Sequence, residues 1–164
     1  MTFENSYLWR LRRKVGSDLV LMPGASVLVE DDRGFILLLK RTDNAAWCMP
    51  GGAAEENASF AETAITEVRE ETGLAVRKED LIPFACVSEP EVHIIEYPNG
   101  DRTHCFSLWF VARRWTGNLV INGDESTECA FFPRSDLPEP LLRPTARAFE
   151  LYDIFNRTRC FQAY

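Results

Sequence analysis

The stretch Gly51-Gly-Ala-Ala-Glu-Glu-Asn-Ala-Ser-Phe-Ala-Glu-Thr-Ala-Ile-Thr-Glu-Val-Arg-Glu-Glu-Thr-Gly-Leu74 decides how this chain is read. Ser59 followed by Glu62 has the spacing of a capping box, and Gly73 suits a helix C-terminus, so residues 59–72 predict a helix. On a wheel of about 100° per residue with Glu67 at zero, Glu71 falls near +40° and Glu70 near −60°. Ala61, Ile65 and Val68 occupy a different arc, near 100–160°, and are expected to face the core.

Three carboxylates on one arc are unfavourable by themselves. Like charges at i,i+4, here Glu67 and Glu71, cost a helix roughly 0.2–0.5 kcal/mol. They also stand near the negative end of the helix dipole. A hard divalent cation reverses the sign, because Mg²⁺ takes carboxylate oxygens. The helix alone reads equally as a solvated acidic face, since surface Glu is common.

Working outward, Trp47-Cys-Met-Pro-Gly-Gly52 reads as a loop ending in paired glycines. Before it, Ala25–Glu30 and Phe35–Lys40 read as strands joined by a turn at Asp31-Asp-Arg-Gly34. After it come strands at Leu81–Val87, Val92–Tyr97 and Thr103–Trp115, the last two joined by Pro98-Asn-Gly-Asp101, and a short one at Ala130–Phe132. A helix is expected within residues 1–17, where Leu8, Leu11 and Val15 share a face with Arg10, Arg12, Arg13 and Lys14 interleaved. Another is expected over 145–157. The basic run reads as a solvated face or as an arm toward substrate or a second copy of the chain, a homodimer. The expected fold class is α/β, one layered domain over residues 1–164 with a mixed β-sheet.

The chain has 164 residues, 46% of them hydrophobic, with 18 Lys+Arg against 25 Asp+Glu, a net charge of −7. That acidity argues against nucleic acid or an anionic membrane as partner. It also means that a phosphate substrate needs something to offset the repulsion. No apolar run approaches a membrane span and the N-terminus lacks a signal-peptide pattern, so a cytoplasmic protein is expected. The five cysteines are widely spaced with no Cys-x-x-Cys, which fits reduced thiols acting as small apolar residues. Nothing local supports a catalytic Cys partnered by His93 or His104.

The segment 52–74 resembles the signature of the Nudix hydrolases: Gly52, then Glu67, Val68, Glu70, Glu71, Gly73 and Leu74 match it. The wider resemblance covers roughly residues 20 to 140. Ala58 stands where the family has its first Glu, Thr66 where it has Arg, and Asn57 replaces a common glycine. The resemblance implies a Nudix-like α/β/α sandwich and metal-dependent hydrolysis of the pyrophosphate link in a nucleoside diphosphate derivative. Glu67, Glu70 and Glu71, with the Gly52 carbonyl, are then the implied ligands of Mg²⁺ or Mn²⁺. Glu55, Glu56 and Arg69 are candidates to replace the support lost at Ala58 and Thr66.

A general base or further ligand often comes from a later loop in this family. In Gly123–Glu128 the choice is Glu125, which reads equally as part of a solvated turn. Arg41 could hold a phosphate or be a plain surface residue. Some family branches that cleave ADP-ribose carry a proline about fifteen residues past the signature. Pro90 lies sixteen past Leu74, which makes ADP-ribose a first guess, although Pro90 reads also as a strand terminator. Tyr97, Phe84 and Trp9 are candidates for stacking on a base, or core residues. The alternative function is a nucleotide-binding domain with weakened catalysis.

Overall fold

The computed structural model describes residues 6–97, 99–121, 123 and 125–164. Met1–Asn5 of the expected N-terminal segment, Pro98 of the expected turn and Asp124 of the acidic loop lie outside the described residues.

Strand β1 (Val20–Val29) pairs in parallel with β7 (Arg102–Ala112) over ten residues and antiparallel with β4 (Gly51–Ala53). On its other side β7 takes β5 (Leu81–Val87) and then β6 (Ile94–Glu96), both antiparallel, and β5 takes β9 (Gln162–Ala163) in parallel. This six-stranded sheet is mixed. A second, antiparallel sheet runs β3 (Trp47–Cys48), β2 (Ile36–Arg41), β8 (Ser126–Phe132). The fold class is mixed α/β, as the sequence led one to expect.

The central strands read as continuous apolar runs because both faces are covered. Leu28, Ile36, Leu38, Trp109 and Val111 face one core, which α4 (Arg143–Thr158) closes with Phe149, Leu151, Tyr152 and Phe155. Val27, Val29, Leu37 and Phe110 face the other, closed by Ala64 and Val68 of α2 (Phe60–Thr72) and by Leu74. The capping box on α2 is formed: the Glu62 N–H donates to Ser59 Oγ and the Ser59 N–H to Glu62 Oε2, while Gly73 ends the helix at φ 75°.

Several expectations need correction. The Trp47–Gly52 loop contains two short strands, β3 and β4. Val92–Tyr97 is not one strand: Pro90 starts a single helical turn, α3 (Pro90–His93), where the His93 N–H donates to the Glu89 carbonyl, and only then does β6 begin. The helix within residues 1–17 is α1 (Tyr7–Val15), and that expected at 145–157 runs from Arg143 to Thr158. Strand β9 went unread because two residues carry no periodicity.

The inward seam of α2 is also displaced. Its buried residues are Thr63, Ala64, Val68 and Thr72, with Ala61 and Ile65 only half-buried. On the same wheel Thr63 lies near −40° and Ala64 near +60°. Glu67 and Glu71, between them, therefore stand inside the buried face, and Glu70 flanks it.

Candidate active site

A cleft of about 640 Å³ runs between α1, one face of β1 and β7, the glycine strand β4 and α2. Its lining holds the carboxylates Glu55, Glu67, Glu70, Glu71 and Glu125, and the apolar or aromatic Met22, Ile95, Tyr97 and Trp109.

Close approach of β4 and α2 sets the glycine backbone against the carboxylates. A Cβ at Gly52 would come 2.6 Å from Glu67 Oε1, and one at Gly51 would collide with Ser26 Oγ. At Gly51 a side chain has no room against β1, and at Gly52 it would displace the Glu67 carboxylate. A Cβ at Gly24 would lie 2.5 Å from the Gly52 carbonyl oxygen, so the bare backbone of Gly24 leaves that oxygen its space. The Gly51 N–H donates to Glu71 Oε2 at 2.9 Å.

Burial first, then Glu125 and Glu70, pushes the Glu67 carboxyl up to about 7. Burial and then Glu67 push Glu71 up to about 8, against the opposing pull of the Gly51 N–H and of Arg41. Such groups ionise fully only beside added positive charge. Their oxygens are the hard donors a divalent cation takes. Among the described residues no three His, Cys, Asp or Glu groups converge into a ready coordination shell.

Glu125 is exposed at the cleft margin, its carbonyl accepting from the Thr42 N–H at 3.1 Å. Arg41 lines the cleft, but its Nε and Nη2 both donate to Asp43, at 2.8 and 2.7 Å. Beside them burial pushes the Cys48 thiol up to about 12, with Glu71 adding to it. Pro90 is exposed and is not part of the cleft lining; it serves as the first residue of α3.

Of the stacking candidates, Tyr97 lines the cleft. Phe84 is core, packed on Trp109, Tyr152 and Phe155, and Trp9 lies under the Arg13 guanidinium.

Glu55 lines the cleft and its charge reaches Glu67, while Glu56 is not in the lining. Both oxygens of Glu55 accept from the Tyr7 N–H, and Glu56 pairs with Arg10 at 2.7 Å, so they hold α1 in place. Arg69 is exposed on the far side of α2. Asn57 stands at φ 67°, a left-handed conformation that Asn tolerates better than most residues, which explains how it replaces glycine.

Sequence reasoning missed how α1 contributes. Arg12, read as part of a basic face, turns inward and donates to the Asp18 carbonyl at 2.6 Å and to Thr103 Oγ1 at 2.9 Å, so α1 becomes a cleft wall. It also missed His93, which lines the cleft. A buried orientation behind a proline-started turn leaves no periodic signal.

Comparison with known proteins gives one consistent answer. The NUDIX domain model matches residues 20–152. An ADP-ribose pyrophosphatase of Methanocaldococcus jannaschii is 31% identical over 74% of this chain and 68% of its own length. Nudix hydrolase YvcI of Bacillus subtilis is 33% identical over 60% of this chain, which spans 58% of that protein. Among solved structures, a MutT NUDIX hydrolase from Burkholderia pseudomallei superposes with a TM-score of 0.68 at 25% identity, over 80% of this chain and 98% of its own.

Proposed function

The chain belongs to the NUDIX family and is a pyrophosphohydrolase of that type, and from this premise we propose that it cleaves the pyrophosphate link of a nucleoside diphosphate derivative, ADP-ribose first among them, with Mg²⁺ or Mn²⁺. Nudix enzymes act on small nucleotide substrates and generally use divalent metal ions. The observation that carries the reading is the pair Glu67 and Glu71, half-buried in one wall of the cleft, with Glu71 fixed by the Gly51 N–H and both carboxyls held above the ordinary carboxylate range. The name of the Methanocaldococcus relative supports the choice of ADP-ribose.

Glu67, Glu70 and Glu71 would hold the metal, with the Gly52 carbonyl beside them. The bound ion supplies charge neutralisation at the two phosphates and a lowered pKa for a water. The remaining work is positioning, which is most of what phosphoryl transfer requires. Gly51 and Gly52 bring the β4 backbone against Glu67, and the Gly51 N–H fixes the rotamer of Glu71. Glu125 takes the proton of the attacking water. That water's oxygen bonds to one phosphorus as the bond from phosphorus to the bridging oxygen breaks, leaving two monophosphates. Arg41, already committed to Asp43, is left with Nη1 to offer a phosphate.

The test is a panel of nucleoside diphosphate derivatives and nucleoside triphosphates with Mg²⁺ or Mn²⁺, read by phosphate release and product mass. Cleavage of ADP-ribose to AMP and ribose phosphate is expected. Release of pyrophosphate from triphosphates, with none of the diphosphate derivatives cleaved, overturns the substrate class.

A further inference from the structure

Strands β5 and β6 pair with the same side of β7, and α3 is the detour between them. The detour carries His93 inward until it is 1% exposed, with its ring centroid 5.5 Å from that of Trp109. Both residues line the cleft.

The ring's tautomer follows from its neighbours. His93 Nδ1 lies 3.2 Å from the Glu89 carbonyl oxygen, which can only accept, so Nδ1 carries the hydrogen. Glu89 Oε2, 3.6 Å from Nδ1, favours the same arrangement, and Glu89 is itself held by Arg147 at 2.7 and 3.0 Å. Burial holds the imidazole below the ordinary histidine range, against the pull of Glu89, so the ring is neutral at pH 7. Nε2 then presents a lone pair. That atom is buried and has no hydrogen-bond partner among the described residues, a costly state for an acceptor unless a ligand meets it.

We propose that His93 Nε2 is a specificity-determining acceptor that reads the exocyclic amino group of the substrate's nucleobase. This rests on the nucleotide reading given above and deepens it. Met22, Ile95, Tyr97 and Trp109 of the same cleft lining are apolar or aromatic, the surfaces that a flat ring takes. An amino group donates to Nε2. An oxo group in the same place would set two acceptors face to face. Adenine and cytosine therefore fit, and hypoxanthine and uracil do not.

The experiment compares substrates differing only at that position: ADP-ribose against its inosine counterpart, and CDP-ribose against UDP-ribose. The wild type is expected to favour each amino-bearing member by roughly tenfold or more in kcat/KM, mostly through KM. In His93→Phe the ratio of amino-bearing to oxo-bearing substrate should fall toward one. Loss of packing alone would lower all four activities together and leave the ratios standing. Turnover with a wild-type ratio near one in both pairs overturns the inference while the nucleotide reading survives; this needs no variant to fold. An equal rise of KM on both members in His93→Phe assigns Nε2 to a ribose hydroxyl and overturns it as well. No turnover of any member removes the nucleotide reading, and the inference falls with it.

Discussion

The backbone N–H of Gly51 donates to the carboxylate of Glu71 at 2.9 Å, joining the glycine strand to the last turn of the acidic helix. It is a fixed bond on a group whose burial and like-charged neighbours otherwise push it toward protonation. Glu71→Gln keeps an acceptor for that N–H and removes the charge. A loss of at least roughly 10²-fold in kcat is expected, with the fold kept and somewhat stabilised above pH 8. Steady-state kinetics beside thermal melts check this, and normal turnover would return Glu71 to a structural role.

The same carboxylates set a pH dependence for the protein in chelator. Their folded values, about 7 for Glu67 and about 8 for Glu71, lie above the ordinary 4.5. Below pH 4.5 both folded and unfolded chains hold the protons, and the pair costs nothing. As pH rises to 8 the unfolded chain releases them first, so stability is lost across that window. Melts in EDTA should fall from pH 5.5 to pH 8.5, and Mg²⁺ should raise Tm more at the higher pH. A flat EDTA profile would contradict the burial of the pair.

Gly52→Ala and Gly24→Ala should behave differently. At Gly52 the new methyl meets the end of a side chain, Glu67, which can swing aside; at Gly24 it meets the Gly52 carbonyl, which is backbone. Gly52→Ala is expected to keep Tm within a few degrees and lose roughly tenfold or more in kcat. Gly24→Ala is expected to destabilise by about 1–3 kcal/mol. Equal melting temperatures for the two variants would refute the distinction.

Thr66 lines the cleft beside Glu67 and Glu70. Thr66→Arg adds a cation one turn before Glu70, which should lower the Glu67 carboxyl from about 7 and favour its ionised form. Roughly tenfold tighter Mg²⁺ binding is expected, about 1.4 kcal/mol, measured by metal titration. If affinity is unchanged or weaker, the cation that the family places at this position is not what this site lacks.

How much of this was legible in the sequence varies from element to element. Helix α2 was readable because Ser59 with Glu62 at its start and Gly73 at its end each act on backbone only a few residues away. The burial of Glu67 and Glu71 was not, since it depends on how closely β4 approaches; the paired glycines were its only trace. Glu55 and Glu56 could not be assigned to Tyr7 and Arg10, which lie 48 and 46 residues away in the chain. Val92, Ile94 and Ile95 gave an apolar run that overrode Pro90, whose fixed φ starts a helical turn as readily as it ends a strand.

Strand β1 holds Gly24 against Gly52, and its parallel partner β7 supplies Trp109 and Thr103 to the cleft. Val20 pairs with Thr103 across about half of the chain, and closing the loop between them is an entropic cost that the local contacts of α2 do not carry. A peptide carrying residues 51–74 alone possesses all three helix carboxylates yet none of the surface that buries them. It should titrate like ordinary glutamate and hold a divalent ion no better than any acidic helix.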